Sequence, residues 1–403
     1  MNILSEKAIR NCTSCQICSA VCPTSAIIIQ LNNNGFYRPV IDDNKCIDCG
    51  QCVDSCYKFD HKIIQTNSLE LSKIPVYAAY SFDNEIVKNT TSGGIAHLLC
   101  THLISKGFKC VGVAYDIKSE TAVNRIALTP TEAETFKGSK YIQSYSEPAL
   151  KEIISIDKTS KYAIFGTPCQ IYSIKKYADK HHRNDNFVFI DIFCHGCPSV
   201  LVWKRYLREI YKIIPKEHIN TILFRSKVRG WGNFCVYAKG ENGKKYVGGK
   251  TNDGFFTLFF SNMVLNDACY DCKLRGTYSY TDIRLGDFWG KEYDMNTKGV
   301  SLVVTPTDKG RILFNEISDS IWKKKHEHKD YLPYQSYGHI YAINKPLRNT
   351  LLEMLQNEKN NINDIVAFYI KQLPFIARIK LRIKNTIFYY PRFIQNLLKK
   401  IYH

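Results

Sequence analysis

Residues 12–23 read CTSCQICSAVCP, which is C-x2-C-x2-C-x3-C-P, and residues 46–56 read CIDCGQCVDSC with the same cysteine spacing. Cys46 lies 34 positions after Cys12, and the same offset joins Cys49 to Cys15, Cys52 to Cys18 and Cys56 to Cys22. Three closely spaced thiolates can wrap three irons of one cubane, while the fourth, carried off by three further residues, reaches the other cluster. The ligand sets are therefore expected to cross. Cys12, Cys15, Cys18 and Cys56 should hold one [4Fe–4S] cluster, and Cys46, Cys49, Cys52 and Cys22 a second. Structural zinc usually pairs two short arms across a longer loop, so a run repeated with this spacing favours clusters. One departure stands out: Tyr57 occupies the place of Pro23 in the first run.

Other cysteines follow apolar runs. Cys169 lies in FGTPCQ, Cys194 and Cys197 in DIFCHGCPS, and Cys269 and Cys272 in CYDC. Neighbouring parallel strands tend to end on the same side of a sheet, where ligands bind. Cys169 and Cys194 are thus expected to converge, with Cys269 and Cys272 completing a third metal site. Buried cysteine is also a common small apolar residue, and C-x2-C serves equally as a zinc arm or a redox pair. Cys197 is a spare that could replace Cys194.

The elements that must position these groups are legible as short apolar runs alternating with helix-like segments. Strands are expected at 76–82, 109–116, 161–166, 186–193 and 220–226, and helices at 93–105, 148–156 and 199–214. The fold class is α+β or α/β: a small ferredoxin-like domain over residues 1–72, a larger α/β body over 73–345, and a basic helical segment over 346–403. No G-x-G-x-x-G occurs. Thr91-Ser92-Gly93-Gly94 opens a helix whose free N–H groups could receive an anion, although an ordinary N-cap reads the same way. Lys137-Gly138-Ser139-Lys140-Tyr141 is either a second part of that cradle or a solvated loop.

The 403 residues carry a formal charge of +18 and 16 cysteines. The stretch MNILSEKAIRN lacks the apolar run of a signal peptide, so a reducing cytoplasm is expected, where clustered cysteines bind metal. Thiolate-held clusters are anionic and would offset part of the basic excess. No nucleic acid partner is expected.

The stretches TSGG, KGSKYIQS, GTPCQI, CHGCPS, FRSKVRGW, CYDC and DIRLGDFWG, in that order over roughly residues 75–310, resemble the coenzyme F420 hydrogenase/dehydrogenase β-subunit family in a form fused to a ferredoxin module. The resemblance implies a flavoprotein with FAD beside a [4Fe–4S] cluster held by Cys169, Cys194, Cys269 and Cys272. It places the flavin region at Ser92, Gly93, Gly94 and at Lys137, Gly138, Ser139, Lys140 and Tyr141. The architecture is also similar to 7-hydroxymethyl chlorophyll a reductase, and bacterial relatives tied to envelope polysaccharide genes hint at a sugar or lipid-linked substrate.

The expected function is an iron–sulfur flavoprotein oxidoreductase passing electrons from ferredoxin or another low-potential donor, through clusters and FAD, to a small organic substrate. The alternative is an electron-transfer subunit of a hydrogenase or dehydrogenase complex. His195 is the candidate proton donor, with Asp287 second; Tyr280, Phe288 and Trp289 read as core. Residues 371–403 hold basic residues and no Asp or Glu. Phe375, Ile379, Ile383 and Ile387 recur at helical spacing until Pro391, suiting either an anionic membrane at its inner face or packing on the body. A homo-oligomer is left open.

Overall fold

The computed structural model describes residues 2–3, 11–59, 63–155, 159–249 and 253–386. Near the N-terminus, β1 (Ile27–Leu31) and β2 (Tyr37–Ile41) form an antiparallel ribbon with Ile27 opposite Ile41. It lies beside two short helices, Ile17–Ala20 and Gln51–Ser55. The body is built on β3 (Val76–Ser81), β4 (Lys109–Asp116), β5 (Thr121–Ala127), β6 (Ser144–Tyr145), β7 (Tyr162–Gly166) and β8 (Phe187–Ile192). The later strands are β9 (Ile219–Ser226), β10 (Cys235–Gly240), β11 (Lys245–Val247), β12 (Ile283–Asp287), β13 (Ser301–Val304) and β14 (Ile321–His326).

Nine strands make one mixed sheet in the order β14-β3-β13-β12-β8-β7-β4-β5-β6. Its centre, β12-β8-β7-β4, is parallel. The sequence YAIFG of β7 and FVFID in β8 are nearly unbroken apolar runs because both sheet faces are covered. Tyr162, Ile164, Phe187 and Phe189 face one core with the helix Pro168–Lys180. Ala163, Val188 and Ile190 face the other with the helix Ile95–Ser105. Each large side chain buried this way contributes about 1.5–3 kcal/mol.

The strand expected at 220–226 is present but belongs to a separate antiparallel sheet, β11-β10-β9. The place beside β8 is taken by β12, whose Ile283 pairs with Ile190. The polar Asn220 and Thr221 suit a sheet that is covered on one side only.

The C-terminal region divides. Helices Lys345–Gln356 and Ile362–Gln372 bury Leu351, Leu352, Leu355, Ile362 and Ile365 against Trp203, Leu207 and Ile210 of the helix Val200–Tyr211. Of the segment read as one basic amphipathic unit, Phe375–Thr386 exposes Phe375, Ile376 and Ile379. Ile387 and Pro391 lie outside the described residues. Among the described residues no helix is long and apolar enough to cross a membrane.

Candidate iron–sulfur and cofactor site

The 34-residue repeat is also a repeat of backbone conformation. Ser14 and Asp48 have φ 63° and 51°, and Gln16 and Gly50 have φ 69° and 76°. These left-handed residues between the cysteines bend each run into a loop. Cys12, Cys15, Cys18 and Cys56 line one cavity with Ile3, Tyr37 and Pro39, the crossed set drawn from the spacing. Burial first, and then the charge of Cys15, push the Cys56 thiol up to about 12; burial likewise raises Cys12 and Cys18. Cys22, Cys46 and Cys52 pack round Ile3, Ile27 and Ile41, the charge of Cys49 acts on Cys52, and Cys49 is exposed.

The third group is assembled by the parallel sheet. Gly166 ends β7, Thr167 caps the next helix with its N–H donated to Gln170 Oε1 (3.0 Å), and Pro168 takes the first helical position. Cys169 is thereby held at the strand end, and Cys194 follows the neighbouring β8. Burial raises Cys169 well above the ordinary thiol range, with the charges of Cys15, Cys194 and Cys272 adding to it. Cys194 is pushed up to about 12 by burial and then by Cys269 and Cys272. The four expected residues come together, and Cys197 joins them, its N–H lying 3.4 Å from Cys269 Sγ. Buried Arg275 fixes the loop by donating to the carbonyls of Cys194 (3.2 Å) and His195 (2.6 Å). Among the described residues no three His, Cys, Asp or Glu side chains are close enough to share a single ion. A cubane spreads its four thiolates over separate irons, so it needs a wider ring of sulfurs than one ion does.

The two segments of the expected flavin cradle also meet. Ser139 N–H donates to Thr91 Oγ1 at 2.8 Å. Gly93 packs so tightly that an added Cβ would stand 2.3 Å from the carbonyl oxygen of Ala79, and Gly94 has φ +87°. Gly138, at φ +81°, faces open space. The lysines turn inward instead of outward. Lys137 pairs with Glu134 (2.7 Å), and Lys140 donates to the carbonyls of Thr135, Phe136 and Lys137 while burial lowers it to about 7. Ser92 Oγ donates to the Val300 carbonyl at 2.8 Å. The Gly93 N–H is likewise engaged, donating to Ser301 Oγ at 2.9 Å, so the two expected segments are tied down by hydrogen bonds within the chain.

Residues 159–329 match the family described as the C terminus of the coenzyme F420 hydrogenase/dehydrogenase beta subunit. Residues 11–60 match a 4Fe-4S dicluster domain. The coenzyme F420 hydrogenase subunit beta of Methanococcus voltae is 27% identical over 250 residues, 60% of this chain and 80% of that one. The body of this chain is therefore similar to the F420 hydrogenase/dehydrogenase β-subunit family over residues 159–329, and its N-terminal part to a 4Fe-4S dicluster domain. A solved structure, a xenon derivative of the F420-reducing [NiFe] hydrogenase complex from Methanosarcina barkeri, is similar at TM-score 0.47 and 18% identity, over 77% of this chain and 95% of that chain.

Two of the stretches that carry the resemblance, FRSKVRGW and DIRLGDFWG, meet at a buried constellation in which the sequence suggested only Asp287, as a second proton-donor candidate, and gave Arg225 and Trp231 no role. Arg225 pairs with Asp287 and lies over the rings of Phe234 (4.4 Å) and Trp289 (5.2 Å). Trp231 stacks on Trp289 at 4.5 Å and donates to Asp287 Oδ1 at 2.7 Å. Burial opposes the Arg225 charge, but Asp287 and Tyr141 outweigh it and hold the guanidinium ionised. Its Nε and Nη2 are buried without a partner among the described residues. Two orphaned donors beside stacked indoles fit a planar, anion-bearing cofactor. Lys227 ties this patch to the cradle by donating to the Ser92 carbonyl at 2.9 Å. In sequence, only the spacing of Arg225 and Asp287 within two apolar runs could have signalled the pair.

His195 is placed differently from the expectation of a proton donor. Its Nε2 meets Asn262 Oδ1 at 2.7 Å and its Nδ1 meets the Tyr341 hydroxyl at 3.1 Å. Burial lowers it to about 4, so the ring is neutral near pH 7 with both nitrogens engaged. That geometry suits holding the Cys194 loop. Tyr280 and Phe288 are core, as expected.

Proposed function

We propose that this chain is an iron–sulfur electron-transfer subunit that works with a hydrogenase- or dehydrogenase-like partner, carrying electrons between an N-terminal ferredoxin-type module and FAD in the body. One observation carries the reading: Cys15 of the module shares an apolar core with Cys169 and Cys272 of the third group. Bound clusters would pass single electrons, and a flavin would pair them for hydride chemistry.

The chain's own residues hold and insulate these centres. Twelve cysteines supply the thiolates: Cys12, Cys15, Cys18 and Cys56; Cys22, Cys46, Cys49 and Cys52; and Cys169, Cys194, Cys269 and Cys272, with Cys197 able to stand in for Cys194. Thr91, Gly93, Gly94, Gly138 and Ser139 form the phosphate cradle. Arg225, kept charged by Asp287, offers donors to the negative charge of a reduced ring system. The net charge of +18 favours an acidic donor protein such as a ferredoxin.

A second reading, a self-contained reductase of a small organic substrate, is favoured by the module being fused and docked. Anaerobic iron, sulfide, zinc and flavin analysis tests the shared premise. About twelve irons and one FAD per chain, falling by about four irons in Cys169→Ser, support it; zinc without flavin overturns it. The readings then separate by whether the isolated chain oxidises reduced ferredoxin with candidate substrates or only when a partner is added.

A further inference from the structure

Tyr57 follows the ligand Cys56, at the position where the first run has Pro23. A tyrosine there is 4% exposed, in a core that also contains Cys15, Cys169 and Cys272. Burial raises its hydroxyl well above the ordinary phenol range, and the charges of Cys272, Cys169, Cys269 and Cys15 add to it. The residue therefore lies in the core where an inner cysteine of the module and two cysteines of the third group pack together.

Its ring is held on two sides, edge-on to Tyr172 (5.9 Å, 77°) and under Lys58 Nζ (5.0 Å). Tyr172 in turn meets Tyr280 at 5.3 Å. Yet the Tyr57 hydroxyl is buried with no hydrogen-bond partner among the described residues. A buried hydroxyl normally finds an acceptor, and here the groups around it are thiols in the positions of cluster ligands. Phenylalanine would fill the same space without a buried polar atom, so the oxygen calls for an acceptor that the polypeptide itself does not supply.

We propose that the Tyr57 hydroxyl donates a hydrogen bond to sulfur of the third cluster, raising its reduction potential above that of the cluster held by Cys12, Cys15, Cys18 and Cys56. The inference rests on the cluster assignment proposed above. A hydrogen bond to cluster sulfur stabilises the added negative charge of the reduced state, and so raises the potential. Electrons arriving in the module would then run downhill into the body.

The test is an anaerobic redox titration of the full chain followed by electron paramagnetic resonance, with the third cluster identified as the signal lost in Cys169→Ser. In Tyr57→Phe, iron content is expected to stay at about twelve per chain. The third cluster's midpoint should fall, with a roughly tenfold change in its reduction equilibrium, about 59 mV for one electron, and the other clusters should hold. Tyr57→3-fluorotyrosine keeps the ring's shape and makes a stronger donor, so the same midpoint should rise. Full iron with no shift in either variant overturns the Tyr57 proposal and leaves the cluster assignment standing. Iron near eight per chain, unchanged by Cys169→Ser, overturns both.

Discussion

The two halves of the N-terminal repeat have one cysteine spacing but differ in surroundings at one corresponding pair, Cys15 and Cys49. Cys15 and Cys18 of the inner set are buried, and Cys15 faces the body. In the outer set Cys49 is exposed and Ile47 beside it is 64% exposed. Docking thus gives one duplicated motif two settings: Cys49 stays open to solvent, while Cys15 packs into the body. Cluster potential depends on exposure as well as on ligands, so equal spacing need not mean equal chemistry.

Removing ligands should break the comparison most visibly. Cys15→Ser is expected to lose about four irons and to destabilise the body, because Cys15 sits in the shared core. Cys49→Ser should lose a similar amount of iron while the third site and the flavin stay intact. Iron, flavin and urea-unfolding midpoints measured together check the contrast, and equal damage to the body from both variants would contradict it.

Docking itself is tested by Gln16→Ala. Gln16 is 3% exposed; its amide donates to the Ser144 carbonyl (2.9 Å) and its Oε1 accepts from the N–H groups of Ser146 (2.7 Å) and Glu147 (2.9 Å). Truncation leaves two buried backbone donors without acceptors, for a loss of about 2–4 kcal/mol, readable as a lower urea midpoint and faster proteolysis of the module. Ser19, bonded to Glu147 at 2.6 Å, should show a smaller effect as Ser19→Ala, about 1 kcal/mol.

The body's cofactor face should answer independently of the module. Arg225→Gln is expected to weaken FAD retention roughly tenfold, by loss of a charged donor, with iron unchanged, as measured by flavin content after gel filtration. The smallest effect belongs to the exposed pair Lys180–Asp54 (2.7 Å), which also bridges module and body. Asp54→Asn should cost below about 1 kcal/mol and less at high salt.

Legibility followed locality. The eight cysteines of the module lie within 45 residues of chain, and their spacing alone carried the crossed assignment because a cubane constrains neighbours directly. The central strands were readable because a strand covered on both faces is a continuous apolar run. β9 was readable as a strand but not as a member of a second sheet, since pairing partners are chosen over long distances. Residues 346–403 read as one basic amphipathic segment, whereas the apolar stripes of the helices Lys345–Gln356 and Ile362–Gln372 face the helix Val200–Tyr211.

By itself the sequence determined the ligand types, the duplicated loop and the apolar runs, all set by short-range stereochemistry and by the need to bury surface. The meeting of Cys169, Cys194, Cys269 and Cys272 was expected from strand ends and resemblance, but tertiary structure alone decided that Cys197 joins them, that Arg225 meets Asp287, and that His195 is fully engaged. It also set Tyr57 in a core shared by two groups of cysteines. Those placements depend on which strands lie side by side and which cores merge, and such contacts join residues whose separation along the chain leaves no local pattern to read.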